Sequence, residues 1–350
     1  MIEALLNGTY TKVQLFHVRL AFSEDMESVG KFAVRKLWIL FTTILRIWLA
    51  RFQYRTPVLY YPPSGPNKVP VLRDIILLTA VRWMFSKTVF HFHAGGVSAF
   101  APELPAPFRP LFNWAYRKVD LAIRTAPQNP EDGIALGARK NIVVPNGLPD
   151  MRGTVPEKTA APGEVLTILF CGVLIPSKGV GVLLNAFQRM VSQGANVKLE
   201  LMGKWGDNAF KHEIETFVSD HALTGRVRFL GVKRDNEKWA HFAGCDIFCF
   251  PSYFEAESFG LVLAEAMQFV KPVVTTNWRG IPSVAEDGVN GFTVPIQDPG
   301  AVADKLMRLV NDPDLRQRMG REGRRIFEER FTLERFHRTM ENALASVQEK

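Results

Sequence analysis

Two glutamates eight positions apart, Glu257 and Glu265, bracket the stretch "ESFGLVLAE". Glu265 sits in the apolar run "LVLAEAM", where burying a lone carboxylate is costly, so it calls for a partner or a ligand. Glu257 stands just before Ser258, Phe259 and Gly260, which read as the first turn of a helix. Backbone N–H groups at such a turn favour an anion, and a glycine permits close approach. On that reading Glu265 lies two turns further in, roughly 10–12 Å along the axis at about 1.5 Å per residue. Two acceptors flanking an anion pocket suit a sugar nucleotide. One carboxylate would take hydrogen bonds from hexose hydroxyls and the other from ribose hydroxyls, with the diphosphate on the helix N-terminus.

The elements that must position these groups alternate regularly in the second half. "VLTILFCGVL" (165–174) is a continuous apolar run, as in a parallel strand buried on both faces. "GVLLNAFQRMVSQG" follows at helical spacing. Further strands are predicted at 197–203, 226–231, 245–252 and 271–277, with helices between them. Five such units predict a doubly wound α/β domain, whose ligands lie beyond the carboxyl ends of the strands. The first half is less regular. Strands are predicted at 13–20, 88–96 and 141–150, and a helix at 32–55. Residues 153–164, rich in Pro, Gly and charge, read as a linker. The expected organisation is a Rossmann-like domain over 1–150, a linker over 151–164, a second Rossmann-like domain over 165–330 and a C-terminal helix over 331–350, the two domains facing across a cleft.

The length of 350 residues suits two cores, and 47% hydrophobic residues argues against disorder. Charge is uneven. Residues 1–150 hold 18 Lys and Arg against 10 Asp and Glu, whereas 151–350 hold 25 of each. Within 31–124 the ratio is 14 basic to 3 acidic. The first half therefore suits an anionic partner, and no nucleic-acid motif accompanies the charge. Cys171, Cys245 and Cys249 show no metal-type or disulfide pattern, and "MIEALLNGTYTK" lacks the features of a secretory signal. A cytoplasmic location is expected.

In context, "PSYFEAESFGLVLAEAM…KPVVTT" resembles the retaining glycosyltransferases of family 4, which have the GT-B fold. The similarity runs over roughly 140–330 and takes in "VVPNGLPD", "SKGVGVLLNAF", "LELMGK", "VRFLGV" and "GIPSVAEDGVNGFTVP". The resemblance implies roles. Glu257 would be the donor-sugar carboxylate and Glu265 the ribose carboxylate; the alternative for Glu265 is a partly buried helix residue paired with a lysine. Lys178 would bind phosphate, and Gly203, Ser258, Phe259, Gly260 and Leu261 would complete the donor site. His93, in "FHFHAGG", would face the donor sugar, with His91 on the same strand face as support. Val173 stands where many members carry an arginine, which removes one phosphate clamp. The implied reaction moves a hexosyl group from a nucleotide-diphospho-sugar to a lipid-linked saccharide in cell-surface polysaccharide synthesis, with no cofactor and no metal. A weak or inactive sugar-nucleotide-binding scaffold, or an epimerase of the same fold, is the alternative.

Two expectations concern the first half. The helix at 32–55 is too interrupted to span a bilayer, because Arg46 falls in its middle. Basic and apolar together, it either lies on an anionic membrane at the inner face of the plasma membrane or is buried on both sides. The resemblance also implies an opening strand and a glycine-rich loop. Here "MIEALLNG" reads as the end of the first helix, so that strand and loop are expected to be absent, leaving an exposed sheet edge.

Overall fold

The computed structural model describes residues 2–20, 34–156 and 165–348, which form two compact units. One unit comprises 1–145 with 336–350, and the other comprises 146–335. The end of the last helix therefore belongs with the first unit. Of the linker expected over 151–164, residues 157–164 lie outside the described residues.

The first unit opens with α1 (Ile2–Leu6) and α2 (Val34–Tyr54). It continues β1 (Val58–Tyr61), α3 (Lys68–Val81), β2 (Lys87–Phe92), α4 (Phe108–Tyr116), β3 (Leu121–Arg124), α5 (Asp132–Ala135) and β4 (Lys140–Val143). The four strands form a parallel sheet in the order β1-β2-β3-β4. Each connection steps one strand in the same direction, so right-handed crossovers place α3 and α4 on one face. Val71, Ile75 and Leu78 of α3 and Phe112 and Tyr116 of α4 are buried in the core below. Leu40 and Ile47 bring α2 into the same core.

The strand expected at 13–20 does not form. Those residues have no regular structure, although Val18 and Leu20 pack against the core. Alternation of apolar residues records which side chains are buried, not whether a strand is at hand to pair with them. The segment instead borders a cavity of about 540 Å³ against β1.

The second unit holds β5 (Leu166–Cys171), α6 (Val180–Ser192), β6 (Val197–Met202), α7 (Asn208–Asp220) and β7 (Val227–Gly231). Then come α8 (Asp235–Gly244), β8 (Ile247–Phe250), α9 (Leu261–Gln268), β9 (Val273–Thr276), β10 (Gly291–Val294), α10 (Pro299–Asn311) and α11 (Pro313–Arg330). The final helix, α12 (Leu333–Gln348), runs from this unit into the first. Six parallel strands lie in the order β10-β9-β8-β5-β6-β7. The order reverses beside β5, so the carboxyl ends of β5 and β8 flank the switch point where ligands of such sheets bind. The sixth strand, β10, is not among the five predicted from sequence. It spans Gly291–Val294 and pairs in parallel with β9 at the edge of the sheet.

Candidate active site

At the carboxyl ends of β5 and β6 the backbone is forced close. A Cβ on Gly203 would lie 1.8 Å from the Gly172 carbonyl oxygen, so only glycine fits. Beyond β5 the chain turns through Pro176–Lys178 to Gly179, which has φ +81 and would place a Cβ 2.0 Å from the Pro251 carbonyl oxygen. That contact draws the loop after β5 onto the loop after β8. It brings together two residues 79 positions apart, since Lys178 Nζ donates to Glu257 Oε2 at 2.6 Å. Ser252 Oγ donates to the same oxygen at 3.2 Å. The Lys178 ammonium also lies 4.4 Å from the Phe254 ring centroid. Lys178 and Glu257 side chains are 15% and 12% exposed, so the pair is largely out of water.

The helix after this loop starts later than the sequence suggests. Ser258 and Phe259 are not helical, and α9 begins at Leu261 with Gly260 as its N-cap at φ 74. A left-handed residue does not continue a right-handed helix, so the turn at 258–260 stays outside it. The Phe259 ring is buried edge-on against Phe331, with centroids 5.4 Å apart. Its side chain anchors the loop, leaving only its backbone for a ligand. Leu261 opens α9, whose first N–H groups have no side-chain cap.

Glu265 is in the second turn of α9 and is buried. Its Oε1 accepts from Lys238 Nζ at 2.6 Å, and its Oε2 is buried with no partner. Burial raises its pKa, opposed by the Lys238 ammonium. The thiol of Cys171, at the end of β5, is pushed up to about 12 by burial and then by the Glu265 charge. Glu265 thus faces the switch point. Lys238, on α8, is the residue that sequence reasoning missed. Nothing within α8 marks it; only Glu265's need for a partner points to a cation, and it does not say which one.

Two lysine–carboxylate pairs, Lys178–Glu257 and Lys238–Glu265, therefore flank the start of α9, where Gly260 is buried and Leu261 is half-buried. Val173, where an arginine is usual, adds no cation. The one Asp-x-Asp triplet of the chain, Asp312–Pro313–Asp314, does a different job from nucleotide-metal binding. Asp312 caps α11 and accepts from the Leu315 N–H at 2.8 Å.

The first unit places His93 just beyond β2 and His91 within it. Their rings stack at 4.1 Å between centroids, tilted by 36°. His91 is fully buried, and its Nδ1 lies 2.7 Å from the Tyr60 hydroxyl on β1. Burial lowers both pKa values, that of His93 to about 4, so both imidazoles are neutral near pH 7. The Nε2 atoms of both rings are buried without partners. Behind them, Asp132 accepts from the Gly96 and Ser98 N–H groups, each at 2.7 Å, and fixes the loop that follows His93.

Residues 151–326 match the family model described as glycosyl transferases group 1. The chain belongs to this family. Among curated relatives, it is 32% identical over 164 residues to the capsular polysaccharide biosynthesis glycosyltransferase CapM of Staphylococcus aureus, covering 47% of this chain and 41% of that one. It is also 32% identical over 179 residues to a phosphatidyl-myo-inositol mannosyltransferase of Mycobacterium leprae, covering 51% and 46%. The matches thus take in under half the length of either relative. Among solved structures, the HepE protein of Anabaena in complex with UDP and glucose superposes with a TM-score of 0.67 at 20% identity, covering 91% of this chain and 84% of that one. Sucrose-phosphate synthase of Thermosynechococcus elongatus gives 0.70 at 21% identity, covering 95% and 83%. The family's GT-B fold, two α/β units with parallel sheets, is the fold of this chain.

Proposed function

We propose that the chain is a retaining glycosyltransferase of family 4 that moves a hexosyl group from a nucleotide-diphospho-sugar to a lipid-linked saccharide. The observation that carries this reading is the pair of largely buried carboxylates, Glu257 and Glu265, each held by one lysine about the start of α9. The unpartnered Oε2 of Glu265 awaits a donor, and ribose hydroxyls are donors. Glu257 accepts from hexose hydroxyls. Lys178 and the first N–H groups of α9 bear on the diphosphate, as a point charge and a dipole end respectively. With Lys178 already bonded to Glu257, the donor slots into a preformed acid–base pair and does not have to assemble one.

In the transfer, the bond from the sugar C1 to the phosphate oxygen breaks. A bond from C1 to the acceptor hydroxyl oxygen forms on the same face, and the hydroxyl proton passes to the departing phosphate oxygen. Leaving-group charge is stabilised by groups already in place, which is where most of such a barrier is lowered. His93, neutral, offers a hydrogen bond to a hexose hydroxyl. The step uses no cofactor and no metal. The family relatives named for capsular polysaccharide and phosphatidyl-myo-inositol chemistry support an acceptor that is a lipid-linked saccharide or a glycolipid. The UDP complex of HepE supports a uridine donor among UDP-, GDP- and ADP-sugars.

A thermal-shift panel of nucleotide-sugars tests this. A rise in melting temperature with one nucleotide class, larger for the sugar conjugate than for free nucleotide, is expected. A flat panel contradicts the donor site.

A further inference from the structure

Each lysine of the candidate site is matched by one carboxylate, Lys178 by Glu257 and Lys238 by Glu265. The two pairs are together neutral, whereas a diphosphate diester is a dianion. Val173 adds no cation after β5. The start of α9 offers the partial positive charge of a helix N-terminus, which is less than one full charge. A dianion in this site calls for a further cation from another strand end.

The loop after β9 carries one. Strands β8 and β9 pair in parallel, so their carboxyl ends lie side by side. The chain leaves β9 through Asn277 into a tight turn over 278–281, closed by the Ile281 N–H donating to the Trp278 carbonyl at 3.0 Å. Both ends of this turn meet the loop that holds Glu257. The Trp278 indole N–H donates to the Phe254 carbonyl at 2.8 Å. At the other end, a Cβ on Gly260 would come 3.7 Å from Ile281 Cγ1. Arg279 lies between these two anchors. The strand order β9-β8-β5 puts Arg279 and Lys178 in the loops on either side of the one after β8.

Arg279 occupies an unusual position for its residue type. Its φ is +50, followed by Gly280 at φ −78. Turns with a positive φ at that one place are dominated by Gly, Asn and Asp, because a larger side chain is strained there. Strain alone marks no site, since Val270 has φ +62 and no polar group to present. Arg279 differs in what its side chain leaves open. Among the described residues its Nε is buried without a hydrogen-bond partner. Its guanidinium carbon lies 5.3 Å from the centroid of the Trp278 ring. A half-buried guanidinium held over an indole, with a donor unused, is oriented before a ligand arrives. A buried donor without a partner costs free energy, which an anionic acceptor offsets.

We propose, resting on the donor reading of this site, that Arg279 binds the sugar-side phosphate of the nucleotide-diphospho-sugar and supplies the cation that Val173 does not. The sugar side is the one because the Arg279 turn is anchored to the loop of Glu257, which takes the hexose on that reading. The ribose carboxylate Glu265 is paired instead with Lys238 on α8. A guanidinium on the sugar-side phosphate also stabilises the charge that grows there as the bond to C1 breaks.

Calorimetric titration of UDP, GDP and ADP, each beside its monophosphate, into the full chain and into Arg279→Gly tests this. Glycine adopts a positive φ without strain, so the variant keeps the turn and loses only the side chain. For the diphosphate that binds the wild type most tightly, affinity should fall at least about tenfold in the variant. Affinity for the matching monophosphate, which lacks the sugar-side phosphate, should stay within about twofold. Arg279→Gln, which keeps part of the stem over Trp278, should give the same pattern and decides the matter if the glycine variant melts early. Unchanged diphosphate affinity in both variants would overturn the role of Arg279 and leave the donor site standing. Equal losses for diphosphate and monophosphate would make Arg279 a support of the loop and overturn the phosphate assignment. A wild type that binds none of these nucleotides would overturn the donor reading itself, and the part of Arg279 with it.

Discussion

In the second unit each candidate carboxylate holds a lysine, at 2.6 Å in both cases, and the charges stay largely out of water as pairs. In the first unit His91 and His93 are desolvated with no charged partner, and they remain neutral. The same cost, removing a titratable group from water, is met by pairing in one unit and by giving up charge in the other. On the proposed reading, the difference matches what each unit would have to handle. A diphosphate donor requires cations and fixed dipoles. A sugar hydroxyl or a developing alkoxide requires a hydrogen-bonding group that does not compete with the phosphate for charge. Outside the site the contrast reverses. The first unit shows exposed cations on its helical layer, whereas the second is balanced in charge.

Acid breaks the comparison most strongly. For His93 the unfolded state binds a proton near pH 6.5 and the folded state only near 4. Its contribution is therefore complete above about pH 6.5 and is lost as pH falls toward 4. The loss is about 1.4 kcal/mol per pH unit for each such histidine. The first unit should lose stability between pH 6.5 and 5, read by hydrogen exchange at β2, while β5 keeps its protection. Replacing both histidines by phenylalanine should flatten that slope. A wild type without the slope, or a double variant that keeps it, would remove the neutral pair from the account.

A smaller effect sharpens the division of labour. His93→Ala should lower turnover by more than about tenfold, or roughly 1.4 kcal/mol, with donor affinity nearly intact. Wild-type turnover in that variant places His93 outside the chemistry. A matching loss of donor affinity would instead make it part of the donor site, erasing the contrast between the units.

The second unit was readable because its elements are buried on both faces and separated by turn residues. Runs such as "VLTILFCGVL" have one physical explanation, a parallel strand. Glu265 could be read for a similar reason, since a carboxylate inside "LVLAEAM" demands a partner. Lys238 could not be found, because its pairing with Glu265 depends on where α8 lies against α9, which no local pattern records. The burial of the Phe259 ring against Phe331 could not be read either, because position in a motif does not reveal where a ring turns. In the first unit the short strands β1 and β3 escaped notice, and the segment 13–20 imitated a strand through side-chain burial alone. On α2, apolar residues ring the helix, so periodicity could not choose the buried stripe. Only the packed neighbours distinguish Leu40 and Ile47 from Trp38 and Leu49.

The central claim, that Glu265 receives the ribose of a nucleotide-diphospho-sugar, meets its most direct test in calorimetric titration of the full chain. The nucleotide-sugar that gives the largest thermal shift would be titrated into the wild type and into Glu265→Ala. The account predicts a measurable heat and a single site in the wild type. The variant, whose ribose-facing acceptor is gone from a desolvated pocket, should show a loss of affinity of at least about tenfold, the cost of leaving a buried hydroxyl unpaired. Equal affinity in the two proteins, with the variant folded by its melting curve, would contradict the assignment of the donor to the second unit's paired carboxylates.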